Sequence, residues 1–343
     1  MRYLTTLLLT AVTSTAIAAN LPTEGLVASY TFDNDTKTTV RDSSGENHGE
    51  SSKVKYTKGV IGTAAEFNGT SSKILLKDKN GNSHRAITDL KQGTVSFWIK
   101  FKNRGGQVLP IIYLGKNDSS ISSMSNPSQR GANSLIFEIG HDRGNIDNRR
   151  LYFTTILGRQ NNFCVDSGMD LDQGRWYHYA AVVSAEGSTI YINGVEITTR
   201  RYNLGSTPTS SVFFGDVPVK DQLSIGYGRY SQEESFFSFS GLIDDVNIYN
   251  RALSKEEVTA LFDQAGLKMG DPELGYIDAK SMEGGEPIVR SGANGRQGRG
   301  NRGEGGNSNR SSNFGNRGSN SSYGTSTRGS GSNYSNGNHQ RNY

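Results

Sequence analysis

Leu26, Ala28, Tyr30 and Phe32 alternate with Val27, Ser29 and Thr31 along one stretch of the chain. Val95, Phe97, Ile99 and Phe101 alternate with Ser96, Trp98 and Lys100 along another. A period of two sends successive side chains to opposite faces, so both stretches predict half-buried strands of an antiparallel sheet. Tyr177 to Val183 and Thr189 to Ile192 are two more strand-like runs, joined by Ala185-Glu186-Gly187-Ser188. Asn193-Gly194 then leads into Val195 to Thr198. Both turn residues tolerate positive φ, so this pair predicts a tight hairpin. Short apolar runs broken by Gly, Asn, Asp and Ser continue to Tyr249 without alternating strands and helices. The pattern predicts an all-β fold, a two-sheet antiparallel sandwich. Ser254 and Glu257 have capping-box spacing, and Val258, Leu261 and Phe262 form a helical stripe, which predicts one short closing helix.

The two ends are a different material. Met1-Arg2 precedes the uncharged stretch Tyr3 to Ile17, and Ala16-Ile17-Ala18 has the small-x-small form cut by signal peptidases. The stretch falls short of the roughly 20 apolar residues that span a bilayer, so residues 1–18 read as a signal peptide and no transmembrane segment is expected. The mature chain is then secreted or at the cell surface, or periplasmic in a bacterium. At the other end, residues 291–343 hold 13 Gly, 11 Asn, 11 Ser and 7 Arg and no Val, Ile or Leu. Such a segment cannot bury enough apolar surface to offset its ordering entropy and is expected to be disordered. Its arginines, set against Glu304 alone, more than account for the chain's net charge of +4. Polyanions are a conceivable partner for them. Export removes intracellular nucleic acid from reach, so a spacer or general adhesion segment is the preferred reading. These features divide the chain into a signal peptide at 1–18, one sandwich domain at 21–264, a linker at 265–290 and the basic tail at 291–343.

Six segments in order resemble a known family. Gly25 to Asp33, Asp42-Ser43-Ser44-Gly45-Glu46-Asn47-His48-Gly49, Ala64 to Gly69, Thr94 to Ile99, Gly174 to Tyr179 with Tyr191-Ile192-Asn193-Gly194, and Gly241 to Ser254 are similar to the laminin-G-like, concanavalin A-like jelly rolls. The resemblance covers Gly25 to Asp263 and implies a jelly-roll sandwich. It departs at Lys102 to Arg150, longer and more polar than the usual strand pair, and at Cys164, the single cysteine, which lacks the partner some relatives use.

The chemistry of the jelly-roll glycosidases is not legible. They carry Glu-x-Asp-x-x-Glu on one strand, which projects alternate carboxylates into a cleft, and no such triplet occurs here. Gly228-Arg229-Tyr230-Ser231-Gln232 faintly resembles one strand of jelly-roll alginate lyases, but the companion strands are missing. The chain is therefore expected not to be an enzyme and to have no catalytic residues. Calcium is the expected cofactor. Asp244 shares an alternating face with Leu242, Val246 and Ile248 and should point toward the core, where a lone carboxylate needs a partner. The resemblance implies an oxygen-donor site built from Asp244, Asp33, Asn47 and the Gly49 carbonyl. The alternative, that Asp244 caps backbone amides of a neighbouring loop, stands beside it. The expected function is a binding module for glycans or surface glycoproteins, in adhesion or extracellular matrix. A glycan-active hydrolase or lyase using the 102–150 loops and a purely structural matrix component are the alternatives.

Overall fold

The computed structural model describes residues 21–102, 108–117, 133–140, 149–157, 163–229, 236–278, 281–282 and 285–290. The expected signal peptide, the basic tail and much of the 102–150 stretch lie outside the described residues.

Two antiparallel sheets face each other. In the first, Gly93–Phe101 and Ser240–Tyr249 form the centre. Tyr177–Ser184, Gly187–Ile192 and Val195–Glu196 extend it on one side, and Thr63–Asn68 and Lys55–Lys58 on the other. Leu26–Tyr30 also pairs with Ser240–Tyr249, so the first and last strands of the sandwich are neighbours. The second sheet runs Thr39–Val40, Gly49–Ser52, Lys73–Leu75, Gln222–Ile225, Leu109–Gly115, Asn133–Ile139, Leu151–Leu157, Phe163–Asp166 and Arg201–Asn203. The Asn193-Gly194 turn forms as expected, with φ of 50° and 75°, both in the left-handed region, while the connector expected at 185–188 tightens to residues 185–186, with Gly187 and Ser188 already paired in the strand.

The core between the sheets is aromatic. Phe137 stacks on Phe153 at 4.5 Å and meets Phe97 edge-on at 5.9 Å, while Phe97 stacks on Tyr179. Val95, Phe97, Ile99 and Phe101 all enter this core, as their alternation predicts. The opposite face of the same strand departs from the half-exposed expectation. Ser96 and Trp98 are buried beneath the helix Lys255–Asp263, with Trp98 stacked on Phe262 at 5.6 Å. A helix laid over the outer face therefore buries both sides of the central strands.

Two β-bulges alter the expected parity. The register slips between Leu26 and Ala28, so Leu26 packs with the helix-side cluster while Ala28 and Tyr30 enter the core. The register slips again between Asp244 and Asn247, where Asp245 takes φ of 44°. The extra residue flips the parity of everything on one side of it. Ile243, Val246 and Ile248 thus line the core, while Leu242 and Asp244 face away from it. The expectation that Asp244 shares the core-facing side with Val246 and Ile248 fails for this reason.

The helix begins with the expected capping box. Glu257 N donates to Ser254 Oγ at 3.3 Å, and Ser254 N donates to the Glu257 carboxylate at 2.8 Å. Arg251 holds both oxygens of that carboxylate at 2.8 and 2.6 Å. Ser254→Ala should cost about 1 kcal/mol of stability, read as a shift in urea midpoint at unchanged slope. The stretch expected to be a linker at 265–290 instead packs on the sandwich. Leu274 and Ile277 are buried, and Ile288–Val289 adds a parallel strand beside Arg201–Asn203. Two apolar anchors spaced among polar residues suffice to dock an irregular segment, which composition alone does not reveal.

Candidate functional site

The four residues expected at a metal fall into two separate groups, Asp33 and Asp244 against the 59–63 loop and Asn47 and Gly49 beside Asp42. Asp244 Oδ2 accepts from Val60 N at 3.0 Å and Ile61 N at 3.2 Å, and its Oδ1 accepts from Asp245 N. Asp33 Oδ1 accepts from Thr63 N at 2.8 Å. Both carboxylates thereby hold the 59–63 loop, and a Cβ at Gly59 or Gly62 would collide with Asp244 or Asp33 respectively. Asn47 belongs to the loop organised by Asp42, and Gly49 opens the strand that follows it. That carboxylate accepts from the amides of Ser29, Ser44 and Asn47 and from the Ser44 hydroxyl. Burial works against its charge, but these donors outweigh it and hold Asp42 below the usual carboxylate range. Asn47 Nδ2 donates to Val27 O at 2.9 Å, and the Tyr30 hydroxyl donates to Asn47 O at 2.6 Å. Gly49 lies against Leu75 O and Leu76, where no side chain fits. Among the described residues, no hydrogen bond joins Asn47 or Gly49 to Asp33 or Asp244.

Asp245 was not singled out in the sequence. The bulge buries it, its Oδ2 has no hydrogen-bond partner, and the Asp33 charge acts on it. Burial first, then Asp33, pushes Asp245 up to about 7. Burial and the neighbouring Asp245 push Asp244 up to about 8, against the pull of its three amide donors. Phe32, which precedes Asp33, also has positive φ at 59°. Two non-glycine residues in the left-handed region beside one buried carboxylate mark a place where tertiary packing overrides backbone preference. Among the described residues, no three His, Cys, Asp or Glu side chains are grouped as one metal site. An ion between Asp33 and Asp245 would take its remaining oxygens from carbonyls and water.

A cleft of about 770 Å³ opens nearby, between residues 78–89 on one wall and Lys220-Asp221 on the other. Local chemistry shapes the first wall. Asp78 Oδ1 accepts from Asn80 N at 2.8 Å and Asn82 N at 2.9 Å, folding Lys79 to Gly81 into a turn in which Gly81 has φ of 84°. These amides, that of Asn82 foremost, hold Asp78 below the usual range. His84 Nε2 lies 2.6 Å from the His48 carbonyl oxygen. A carbonyl only accepts, so the ring carries a proton on Nε2. The family-like loop at 42–49 therefore supports the cleft from behind. Asp89 ties the walls together, with Lys220 Nζ at 2.6 Å and Arg85 Nε at 3.0 Å, and these two cations hold it below the usual range. Lys91 adds a second clasp to Asp216 at 2.8 Å. Thr88 lines the cleft at 1% exposure, and its hydroxyl has no hydrogen-bond partner. The arrangement offers carboxylates, amide, imidazole and hydroxyl at the surface of a roomy polar recess, a set matched to hydroxyl-rich ligands.

The outer face of the second sheet is polar but sealed. Glu138, Tyr152, Asp166 and Arg201 stand in register on four adjacent strands, with Glu138 and Asp166 at 0% and 1% exposure. Asp166 is engaged by Asn203 Nδ2 at 2.9 Å and Gly168 N at 2.7 Å. Cys164 lies on the same face. Burial, then the charges of Asp166 and Glu138, push its thiol up to about 12, so it is an inert core thiol.

The family model of the concanavalin A-like lectin/glucanases superfamily matches residues 68–259, more than half of the chain. No curated protein matches. Among solved structures, the chain is similar to domain 4 of an extracellular GH43 arabinanase from Geobacillus stearothermophilus, determined with arabinotriose. That likeness has 25% identity and a TM-score of 0.45 over 70% of this chain and 98% of that one. A sialidase of Trypanosoma rangeli, seen as a covalent intermediate with 2,3-difluorosialic acid, matches at 15% identity and a TM-score of 0.49. The match covers 71% of this chain and 33% of the sialidase. The binding domain of botulinum neurotoxin serotype C1 matches at 15% identity and a TM-score of 0.47, over 72% of this chain and 53% of that one. The expectation that the chain is not an enzyme is withdrawn, because the family whose model it matches is one of lectins and glucanases, and the fold does not decide between binding and catalysis. Glu-x-Asp-x-x-Glu is a single-strand pattern, whereas the fold brings carboxylates from different strands onto one face, as with Glu138 and Asp166, which flank Tyr152 in register. No helix among the described residues is long and apolar enough to cross a membrane. By its family match and its two-sheet antiparallel architecture, the chain belongs to the concanavalin A-like lectin/glucanases superfamily.

Proposed function

We propose that this is an exported carbohydrate-binding protein whose ligand, free glycan or glycoprotein, enters the cleft between residues 78–89 and Lys220-Asp221. The cleft itself carries the reading. At about 770 Å³ it has the size of a small-ligand site, and its lining residues, Gly81 apart, carry hydrogen-bonding side chains. The Lys220–Asp89 ion pair links its two walls. Calcium is the second part of the proposal. Asp33 and Asp245 would hold it, since Asp245 Oδ2 is buried without a hydrogen-bond partner and the charge of the exposed Asp33 acts on Asp245. The ion would neutralise that pair and tie the first and last strands of the sandwich.

Titration of the full chain against soluble arabinan, galactan, xylan, glucan and sialylated glycans checks the carbohydrate part. Saturable heat with at least one of them, and competition by its shorter oligosaccharides, is the expected result. The same mixtures assayed for new reducing ends show whether a bound glycan is also turned over. Flat titrations across the whole panel would remove the carbohydrate reading.

A further inference from the structure

We propose that Arg201 and Arg290 form a site for a single oxyanion, phosphate or sulfate, at the edge of the second sheet. The site is independent of the cleft and of the carbohydrate reading above. It does not come with the family either, since Arg290 lies beyond residues 68–259, which the family model matches.

The backbone sets the pair in place. Tyr202 enters the core, so Arg201 and Asn203 on either side of it point to the outer face of their strand. Ile288–Val289 runs parallel beside that strand, with Ile288 opposite Arg201 and Val289 opposite Tyr202. Alternation then puts Arg290 on the same outer face as Arg201. Two hydrogen bonds fix this register. Ile288 N donates to Arg200 O at 3.0 Å, and Arg290 N donates to Tyr202 O at 2.8 Å. The second arginine is thus delivered by the segment that docks after the closing helix.

Charge is the second observation. Arg150 holds Asp170 at 3.3 Å, whereas neither Arg201 nor Arg290 forms an ion pair or a side-chain hydrogen bond among the described residues. Asp166, in register with Arg201, is taken by Asn203 Nδ2 at 2.9 Å and Gly168 N at 2.7 Å. Burial first, then the charge of Arg150, pulls Arg201 below its ordinary value, with Arg290 adding to the pull and Asp166 opposing it. Three guanidiniums therefore act on one another against the two carboxylates Asp166 and Asp170, which leaves a positive surplus.

The Arg201 guanidinium itself supplies the third. It is half-buried, and its Nε is closed to water without a hydrogen-bond partner, while its two terminal nitrogens stay open. A desolvated cation with no counter-charge is costly, and an oxyanion against the open end would supply one. The planar fork of a guanidinium matches two oxygens of a phosphate or sulfate, and a second guanidinium beside it reaches the others.

Isothermal titration of the full chain with inorganic phosphate and with sulfate, at ionic strength held constant with chloride, reads the site. Saturable binding of a single ion per chain is the expected result. Arg201→Gln and Arg290→Gln should each weaken it by about tenfold or more, since each removes a charge-assisted pair. Arg201→Lys keeps the charge without the fork and should fall in between. Without added anion, both glutamine variants should melt within about 2 °C of the wild type, because the charges they remove repel one another. A sulfated dextran and an inorganic polyphosphate, each set against neutral dextran, separate an anion carried on a polymer from a free one. Polymer affinity that falls along with ion affinity in the variants would support a carried group. Polymer affinity that ignores the variants while the free ions respond would support a free ion. No saturable ion binding by the wild type would overturn the inference whatever the polymers do, because the seven arginines of residues 291–343 attract polyanions by themselves. Free ions bound equally well by the wild type and both glutamine variants would overturn it too.

Discussion

Calcium at a hundredfold excess over its Kd should raise the melting temperature by roughly 5 to 10 °C, and Asp245→Asn should erase the rise. A ligand that binds only the folded state contributes about 2.7 kcal/mol at that excess, and a domain of this size gains about 2 to 4 °C per kcal/mol. Asp245→Asn has a second expected effect that separates a metal site from a merely crowded one. Removing one charge from the Asp33–Asp245 pair should make the metal-free protein more stable, since asparagine also tolerates the φ of 44° at this bulge. Asp244→Ala should behave in the opposite way. It would strip the acceptor from the Val60 and Ile61 amides and cost about 2 to 4 kcal/mol, while leaving the response to calcium in place. Differential scanning calorimetry with EDTA and with added calcium reads the wild type and both variants. A melting temperature indifferent to both additions would strike out the metal.

His178 should work against the fold in acid, opposite in sign to Asp244 and Asp245, whose raised values favour the folded state as the pH falls. This ring is at 1% exposure, with Nε2 at 2.8 Å from Ser96 Oγ and Nδ1 without a partner, between Trp98 and Phe262. Burial alone lowers it to about 3 from its ordinary value of 6.5. Between those values the unfolded chain takes up a proton that the folded chain refuses. Stability from this group is therefore fully present above pH 6.5 and lost as the pH falls toward 3, by roughly 1 kcal/mol per pH unit. Asp42, held below its ordinary value, adds a loss in the same direction at lower pH still. His178→Gln should flatten the acid limb of the stability curve, and the difference in slope from wild type cancels every other titrating group. Parallel slopes for the two proteins between pH 6.5 and 4 would show that His178 is not the cause.

Local chemistry was readable from the chain alone. Alternation along Val95 to Phe101 predicts the core-facing side of that strand, Asn193-Gly194 predicts its turn, and Ser254 with Glu257 predicts the helix start. Each depends on residues within a few positions of one another, where propensity and pattern act directly. The face assigned to Asp244 was misread, because one extra residue at a bulge reverses parity and nothing in Gly241 to Tyr249 announces it. Asp245 escaped notice for the same reason, although its neighbour was named. The cleft was not legible either. Neither Asp78 to Asn82 nor Lys220 and Asp221 stands out in the chain, and the two walls come together from more than a hundred residues apart. Sequence by itself determined the sandwich, its hairpins and its closing helix, because those follow from short-range periodicity and capping. Tertiary structure alone decided which carboxylates are buried together, which loop Asp244 holds and where a cleft opens. Those depend on strand register and on contacts between distant segments, and a one-residue slip in register changes them without changing the local pattern.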